Sequence, residues 1–468
     1  MCIIQNIVKK NIVVIFGGKS TEHDISILSA MQMINSLDKN KYNVHPIYIA
    51  HSGSWFCGNA LADVKVYQNF NQKKYKQVAI LPSDNKLYKK TIFGFKPMFK
   101  IDCAVISCHG KNGEDGTLQG LLELSNIPYT SCGVLGSAIG LDKAVMKQIF
   151  AYNKIPVTKF VVLKKFDFEQ KNFKLCNILN GLELPVVVKP NRLGSSIGIS
   201  ICKTESQLLD ALKLAFIFDD KVVIEKLVRN LKEVNISVLG GANSVLLSCT
   251  EEVKNDGKFL SFEKKYISPN LKNCDKNGQK TIKNASKTDN FNQNSENFKK
   301  NDNKEQSSCC GKNKAKCTSP NCKSECCTCG AKSNIDDGVQ NVKPKKDGLK
   351  NGIQNLDRII PANITQKQNK QIQLLAKKIF DAVGCSGVVR IDFMIDTKTG
   401  KVFANEVNTI PGSFAFYLWC DKGINFAELS DRLIQIAIDN NNKKNRLVST
   451  FLSNVLGGTA GQSKNLKF

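Results

Sequence analysis

No apolar run of about 18 residues occurs in this chain, which excludes a membrane-spanning helix, and no cleavable signal pattern opens it. The expectation is therefore a soluble, cytoplasmic protein with no membrane insertion. The Gly/Ser loop within Leu184 to Ser200 lacks the GKS/T ending of a Walker phosphate loop, and the sequence offers no nucleophile dyad. Acid is scarce, with 41 Asp and Glu against 67 Lys and Arg, a net charge of +26. That charge raises nucleic acid as a partner, but Lys greatly exceeds Arg and travels with Asn as a compositional drift. No recognised motif or aromatic-basic platform accompanies it, so no nucleic-acid partner is expected. Of 18 cysteines, ten are scattered singly, several in apolar strands such as those of Cys103 and Cys249, which reads as small buried thiols rather than a disulfide framework. The other eight lie between Cys274 and Cys329. A length of 468 residues allows several packed units around a large core.

What is present centres on Arg390 to Gly412, RIDFMIDTKTGKVFANEVNTIPG. On a strand of period two, Arg390 and Asp392 point to one side. Thr397 to Gly400 reads as a turn, and the returning strand places Glu406 and Asn408 on a common face. Such a hairpin gathers two carboxylates and an amide oxygen, hard ligands suited to a Mg²⁺ that also holds a phosphate chain. Arg390 beside them suits an anion. The competing reading is a surface hairpin with scattered charges.

Earlier in the chain, the apolar run Asn11 to Phe16 ends in Gly17-Gly18, and Ile25, Leu28, Met31, Ile34 and Leu37 then keep helical spacing. This predicts a buried parallel strand, a Gly turn and a helix, with the turn at the sheet edge where ligands bind. Glu22 opens that helix, either as an N-terminal cap favoured by the dipole or as the partner of a substrate ammonium. Val44 to Ala50 predicts a second strand, and residues 52–100 carry no clear pattern. Ile101 to Ser107 repeats the strand theme and opens into a loop with His109 and three glycines, followed by a helix from Thr117 to Leu124. A further helix carries Lys143, either a solvated charge or a phosphate contact.

Leu184 to Ser200, LPVVVKPNRLGSSIGIS, combines a β-branched strand carrying Lys189 with a Gly/Ser loop whose backbone N–H groups can close over an anion. Val222 to Leu227 is an apolar strand running into Glu225 and Lys226, the pattern of a strand edge against which an adenine lies. Glu233 follows, either a ribose contact or a surface carboxylate. Helices are predicted over Thr365–Val383 and Phe426–Asn440.

The segments GGKSTEHDIS, HGKNGEDGTLQG, YTSCGVLGSAIGLDKAVMK, VVVKPNRLGSSIGIS, VVIEKL, FEKKY, GVVRIDFMID and NEVNTIPGS, in this order, resemble the D-alanine:D-alanine ligases of the ATP-grasp superfamily. The resemblance implies an α/β chain: an ATP-grasp fold with an N-terminal parallel-sheet domain (1–131), a central subdomain (132–224) and a catalytic subdomain (225–268 with 357–445). It implies ATP-driven joining of two D-alanines through an acylphosphate, for peptidoglycan precursors, in a homodimer. Lys143, Lys189, Ser196 and Gly198 would bind the triphosphate; Glu225 with the backbone of Lys226 and Leu227, the adenine; Glu233, the ribose. Asp392, Glu406 and Asn408 would hold two Mg²⁺ or Mn²⁺. Glu22 would receive the ammonium of the first D-alanine, Arg390 and the Gly412 N–H would stabilise the oxyanion, and His109, Ser195 and Tyr266 would orient the first amino acid. The Lys265-Tyr266 pair implies a dipeptide product, against D-lactate as second substrate, with D-serine left open.

Two departures from the family pattern stand out. After the PG the chain reads SFAFYLW in place of a Thr-Ser-rich stretch, so Ser413 or Tyr417 contacts the second carboxylate or that contact is made otherwise. And residues 269–356 form a low-complexity Lys/Asn/Cys-rich insertion that cannot bury enough apolar surface to fold alone, which predicts disorder. Seven cysteines from Cys309 to Cys329 resemble a metallothionein-like tract that could take a soft metal, against the alternative of a tolerated insertion with reduced thiols. The tail, 446–468, is mostly polar.

Overall fold

Strand β1, Lys10–Gly17, is apolar on both faces because it is central in a parallel arrangement: residues 12 to 16 are all fully buried. It pairs in parallel with β2 (Tyr42–Ile49) on one side and β7 (Cys103–Ile106) on the other. The helix His23–Ser36 returns over it and buries Ile27, Ala30, Met31 and Ile34. Beyond β2 the sheet continues with antiparallel strands β3 (Trp55–Cys57), β4 (Lys76–Ile80), β5 (Lys86–Thr91) and β6 (Gly94–Lys100), in the order β6-β5-β4-β3-β2-β1-β7. The computed structural model describes residues 8–175, 179, 181–241, 244–254 and 358–450. Lys265, Tyr266, the Cys309–Cys329 tract and the tail beyond 450 lie outside the described residues.

Residues 52–100, patternless in sequence, thus build the edge of the first sheet. Strand β6 is largely exposed and carries Pro97, a residue confined to sheet edges because it lacks an N–H. Exposure of both faces erases the alternation that would mark it as a strand.

A second, antiparallel sheet has the order β10-β9-β11-β8, from β8 (Phe160–Lys164), β9 (Val186–Pro190), β10 (Ser200–Cys202) and β11 (Lys221–Lys226). The helix Glu205–Phe218 covers it with Leu208, Ala211, Leu212 and Ala215. Strand β11 runs through the boundary expected at 224/225 and keeps Glu225 and Lys226 in this sheet. The third sheet, β14-β13-β12-β15-β16, is formed by β12 (Leu231–Gly241), β13 (Ser244–Val253), β14 (Arg358–Ile359), β15 (Gly387–Asp396) and β16 (Val402–Asn408).

The helix Gln366–Val383 packs Ile372, Ala376, Ile379 and Phe380 on the third sheet, starts with a Thr365–Gln368 capping box and stops at Gly384 in a left-handed conformation. The helix Phe426–Asn445 closes the chain, capped by Asn425. Phe414 and Leu418 from the short turn Gly412–Leu418, and Trp419 just after it, share a core with Phe16 and Met33, so this turn joins the first sheet to the third. Buried Trp419 donates its indole N–H to Ser237 Oγ at 3.2 Å. Among the described residues no helix is long and apolar enough to cross a membrane.

Candidate active site

Pairing within the β15–β16 hairpin sets the first part of the site. Arg390 lies opposite Asn408 and Asp392 opposite Glu406, so the four side chains expected on one face are cross-strand neighbours. Arg390 grips Asp392 with two parallel bonds, Nε to Oδ1 at 2.7 Å and Nη2 to Oδ2 at 2.8 Å. Burial opposes the Arg390 charge, but the Asp392 carboxylate more than offsets this and raises the guanidinium well above its ordinary range. Asn408 donates Nδ2–H to Asp392 Oδ2 at 3.1 Å, which leaves its amide oxygen as the atom for a cation. With the carboxylates of Asp392 and Glu406 this donor set is all oxygen, and it fits Mg²⁺ or Mn²⁺.

Lysines approach the hairpin from two directions. Asp142 caps the helix Lys143–Tyr152, whose first residue is buried and points its Nζ to Leu193 O at 2.9 Å and to Glu406 Oε2 at 3.5 Å. Lys189, on β9, is buried against Glu225 and also donates to Asn405 Oδ1 at 3.2 Å. Glu225 is itself 2% exposed, with Lys147 Nζ 2.8 Å away and the Thr158 hydroxyl donating to it at 2.6 Å. Burial alone would raise the Glu225 pKa, yet Lys147 and Lys189 together hold it far below the carboxylate range. Lys147 is the residue that sequence reasoning missed here; it sits one helical turn after Lys143, the only local signal that it shares a face. Lys226 and Leu227 give their N–H groups to Lys159 O at 2.9 Å and Pro185 O at 3.2 Å, so those donors act within the fold. Glu233 lies on β12, half-buried.

The flap after β9 turns through left-handed conformations at Ser195, Ser196 and Gly198, with φ of 53°, 61° and 70°. A Cβ on Gly198 would come 2.8 Å from Pro190 Cγ, so only glycine fits. This flap reaches the first sheet: Ser195 donates its hydroxyl to Glu22 Oε1. Glu22 occupies the N-cap of the helix His23–Ser36 but its side chain makes no capping bond, so the carboxylate faces the flap instead.

His109 is buried, its Nε2 3.3 Å from Ser29 Oγ, and burial pushes its pKa down to about 4, so the ring is neutral. Ser29 also accepts the Ser413 N–H at 3.0 Å and so links the loop after β7 to the turn that starts at Gly412. Ser413 is 1% exposed, and its hydroxyl has no partner among the described residues. Glu114 is another residue not anticipated: its two oxygens accept the N–H groups of Gly110 at 2.8 Å and Ile410 at 3.0 Å. Burial, and then the charge of Glu22, push its pKa up to about 8. Tyr417 donates its hydroxyl to Glu251 at 3.2 Å, and burial pushes the phenol up to about 12. The contacts thus tie Glu22 to Ser195, His109 to Ser413 through Ser29, Lys189 to Glu225, and Lys143 to the Arg390, Asp392, Glu406 and Asn408 hairpin, while Lys265 and Tyr266 lie outside the described residues.

Family models for the D-ala D-ala ligase N-terminus and C-terminus match residues 11–132 and residues 149–296 with 341–435. A curated D-alanine--D-alanine ligase of Thermosipho melanesiensis is 32% identical over 92% of this chain and 94% of its own length. The chain belongs to the D-alanine–D-alanine ligase family. Among solved members, the D-alanine-D-alanine ligase from Coxiella burnetii matches with TM-score 0.64 and 25% identity over 94% of this chain and 96% of its own. The D-Ala:D-Ser ligase from Enterococcus faecalis matches with the same TM-score, 0.64, and 26% identity over 92% and 100%. The cation–carboxylate hairpin, the flap and the buried lysines described above therefore lie in the framework of an ATP-dependent ligase.

Proposed function

We propose that this chain joins two D-alanines into D-alanyl-D-alanine with ATP and a divalent cation, and that the described clusters act together in the reaction. The observation that carries this reading is the register of β15 and β16, which sets Arg390, Asp392, Glu406 and Asn408 side by side with Lys143 reaching Glu406 at 3.5 Å. In the first step a carboxylate oxygen of the first D-alanine attacks the γ-phosphorus, its new P–O bond replacing the bond to ADP. In the second, the amine of the second amino acid attacks the acyl carbon, the C–O bond to phosphate breaks, and the ammonium gives up its protons. Neither step needs a protein nucleophile; both need positioning and charge neutralisation.

Lys143, Lys189, Ser196 and Gly198 are suited to the phosphates, with Glu225 and Glu233 on the nucleoside; Lys226 and Leu227, whose N–H groups are taken within the fold, have only their backbone carbonyls to offer it. Asp392, Glu406 and Asn408 would hold Mg²⁺ or Mn²⁺, which neutralises phosphate charge when bound. Glu22, whose carboxylate faces the flap, is suited to the ammonium of the first D-alanine, with Ser195 and neutral His109 orienting that substrate and Tyr266 and Lys265 completing closure. Arg390 and the Gly412 N–H are placed for the oxyanion, the electrostatic task that dominates such catalysis. Ser413 and Tyr417 are the candidates for the second substrate. Homodimer assembly and a cytoplasmic location rest on the resemblance, and a soft metal on Cys309–Cys329 rests on the cysteine spacing.

The two solved neighbours named above differ in second substrate by name, so the fold leaves that choice to side chains. Phosphate release with ATP, Mg²⁺ and D-alanine, alone and with D-serine or D-lactate, tests the reading. D-Alanine alone is expected to support full turnover. Turnover only when D-serine or D-lactate is added would assign a sibling activity.

A further inference from the structure

The pairing of the third sheet extends the polar row of the hairpin beyond Asp392. Asn235 lies opposite Asp392 on one side and opposite Glu251 on the other, so Glu251, Asn235, Asp392 and Glu406 run side by side across four strands. At the far end Glu251 is 1% exposed and accepts from Asn235 Nδ2 at 3.3 Å and from Tyr417 at 3.2 Å. Arg358, on β14, sets Nη1 3.2 Å from Glu251 and lays its guanidinium over the Tyr417 ring at 4.5 Å. Its Nε is buried and has no acceptor among the described residues.

A guanidinium held this way is oriented but not satisfied. Nη1 is held by Glu251 and the guanidinium lies over the Tyr417 ring, while the buried Nε–H has no acceptor among the described residues; Nε and Nη2 form the guanidinium edge whose donors match a carboxylate. A buried donor without an acceptor is unfavourable unless a ligand completes it. Ser413, the alternative contact for the second substrate, has its backbone N–H on Ser29 beside His109. Tyr417 feels the charge of both Arg358 and Arg390, and Asn235 alone separates Glu251, the partner of Arg358, from Asp392, the partner of Arg390, along the row.

Resting on the ligase reading above, we propose that Arg358 binds the carboxylate of the second amino acid, with Glu251 and Tyr417 as the residues that position it. Arg358 then selects an α-amino acid over an amine of the same shape without the carboxylate, and the second substrate enters with its amine toward Arg390 and its carboxylate toward β14.

A partition experiment on the full chain tests this. Wild type is given ATP, Mg²⁺, D-alanine and D-alaninamide, an amine lacking the carboxylate, and the two products, D-alanyl-D-alanine and D-alanyl-D-alaninamide, are quantified by mass spectrometry. Wild type is expected to favour the carboxylate nucleophile strongly. Arg358→Met is expected to reduce that preference on the order of 30-fold, as for the loss of a charged hydrogen bond, and Arg358→Lys by a smaller factor, because a point charge replaces the fork. A purely structural role would lower turnover and the melting temperature but leave the product ratio unchanged. A wild-type ratio in Arg358→Met overturns the proposal; should that variant fail to fold, a wild-type ratio in Arg358→Lys does so. If wild type makes neither dipeptide, the ligase reading itself fails.

Discussion

Glu225 and Asp392 are both carboxylates held by cations, yet Glu225 is 2% exposed between Lys147, Lys189 and Thr158, whereas Asp392 stands at 15% side-chain exposure on an open sheet face with Arg390. The first cluster is sealed: two lysines compensate one acid, and each charge is buried only because the others are. In the second, Arg390 and Asn408 orient Asp392, and Oδ1, which accepts one bond against two at Oδ2, keeps a lone pair for a cation. A charge cluster closed on all sides chiefly stabilises and positions, and a half-open one is available for chemistry. Lys189 belongs to both worlds, since it contacts Glu225 and also reaches Asn405 on the hairpin strand at 3.2 Å.

Breaking the open cluster should give the largest effect. Asp392→Asn is expected to lower kcat by about 10³-fold, the scale of losing a main electrostatic contact, with circular dichroism showing the fold retained. An active Asp392→Asn enzyme would remove the hairpin from the chemistry.

Breaking the sealed cluster should move stability instead. Lys147→Met leaves the buried Glu225 with Lys189 alone and is expected to cost about 2 kcal/mol, less than orphaning a buried charge entirely, read from denaturant unfolding. The pH dependence follows in sign. Glu225 is depressed in the folded state, so its contribution is present above the unfolded value of about 4.3 and is lost as pH falls below it. In Lys147→Met that depression shrinks, and the acid limb of the stability profile should become shallower. An unchanged limb would mean that Lys147 does not set the Glu225 charge.

The contrast also separates what was legible in the sequence from what was not. Arg390, Asp392, Glu406 and Asn408 are close in sequence, and period-two alternation plus one turn is enough to bring them together. Lys189 and the flap at Ser195–Gly198 were likewise legible, because strand, proline and Gly/Ser loop are contiguous. Glu22, read in the sequence as a cap or as the partner of an ammonium, needed the structure to show that its side chain makes no capping bond and meets Ser195 of the flap. Lys147 gave only its spacing from Lys143, and Ser29, Glu114, Glu251 and Arg358 gave no local signal: Glu251 and Arg358 meet only because the chain returns to the same sheet after a long insertion, and Glu114 accepts a backbone N–H nearly 300 positions away at Ile410. Contacts closed by long loops leave no periodicity to read. Residues 52–100 escaped for a different reason, since an exposed edge such as β6 has no apolar face to alternate.

The central claim is that a D-alanine carboxylate oxygen attacks ATP and leaves with phosphate. Supplying D-alanine labelled with ¹⁸O in both carboxylate oxygens, and weighing the phosphate released during turnover with ATP and Mg²⁺, tests it most directly. One ¹⁸O per phosphate is the expected result; unlabelled phosphate formed together with the dipeptide would contradict an acylphosphate and the account built on it.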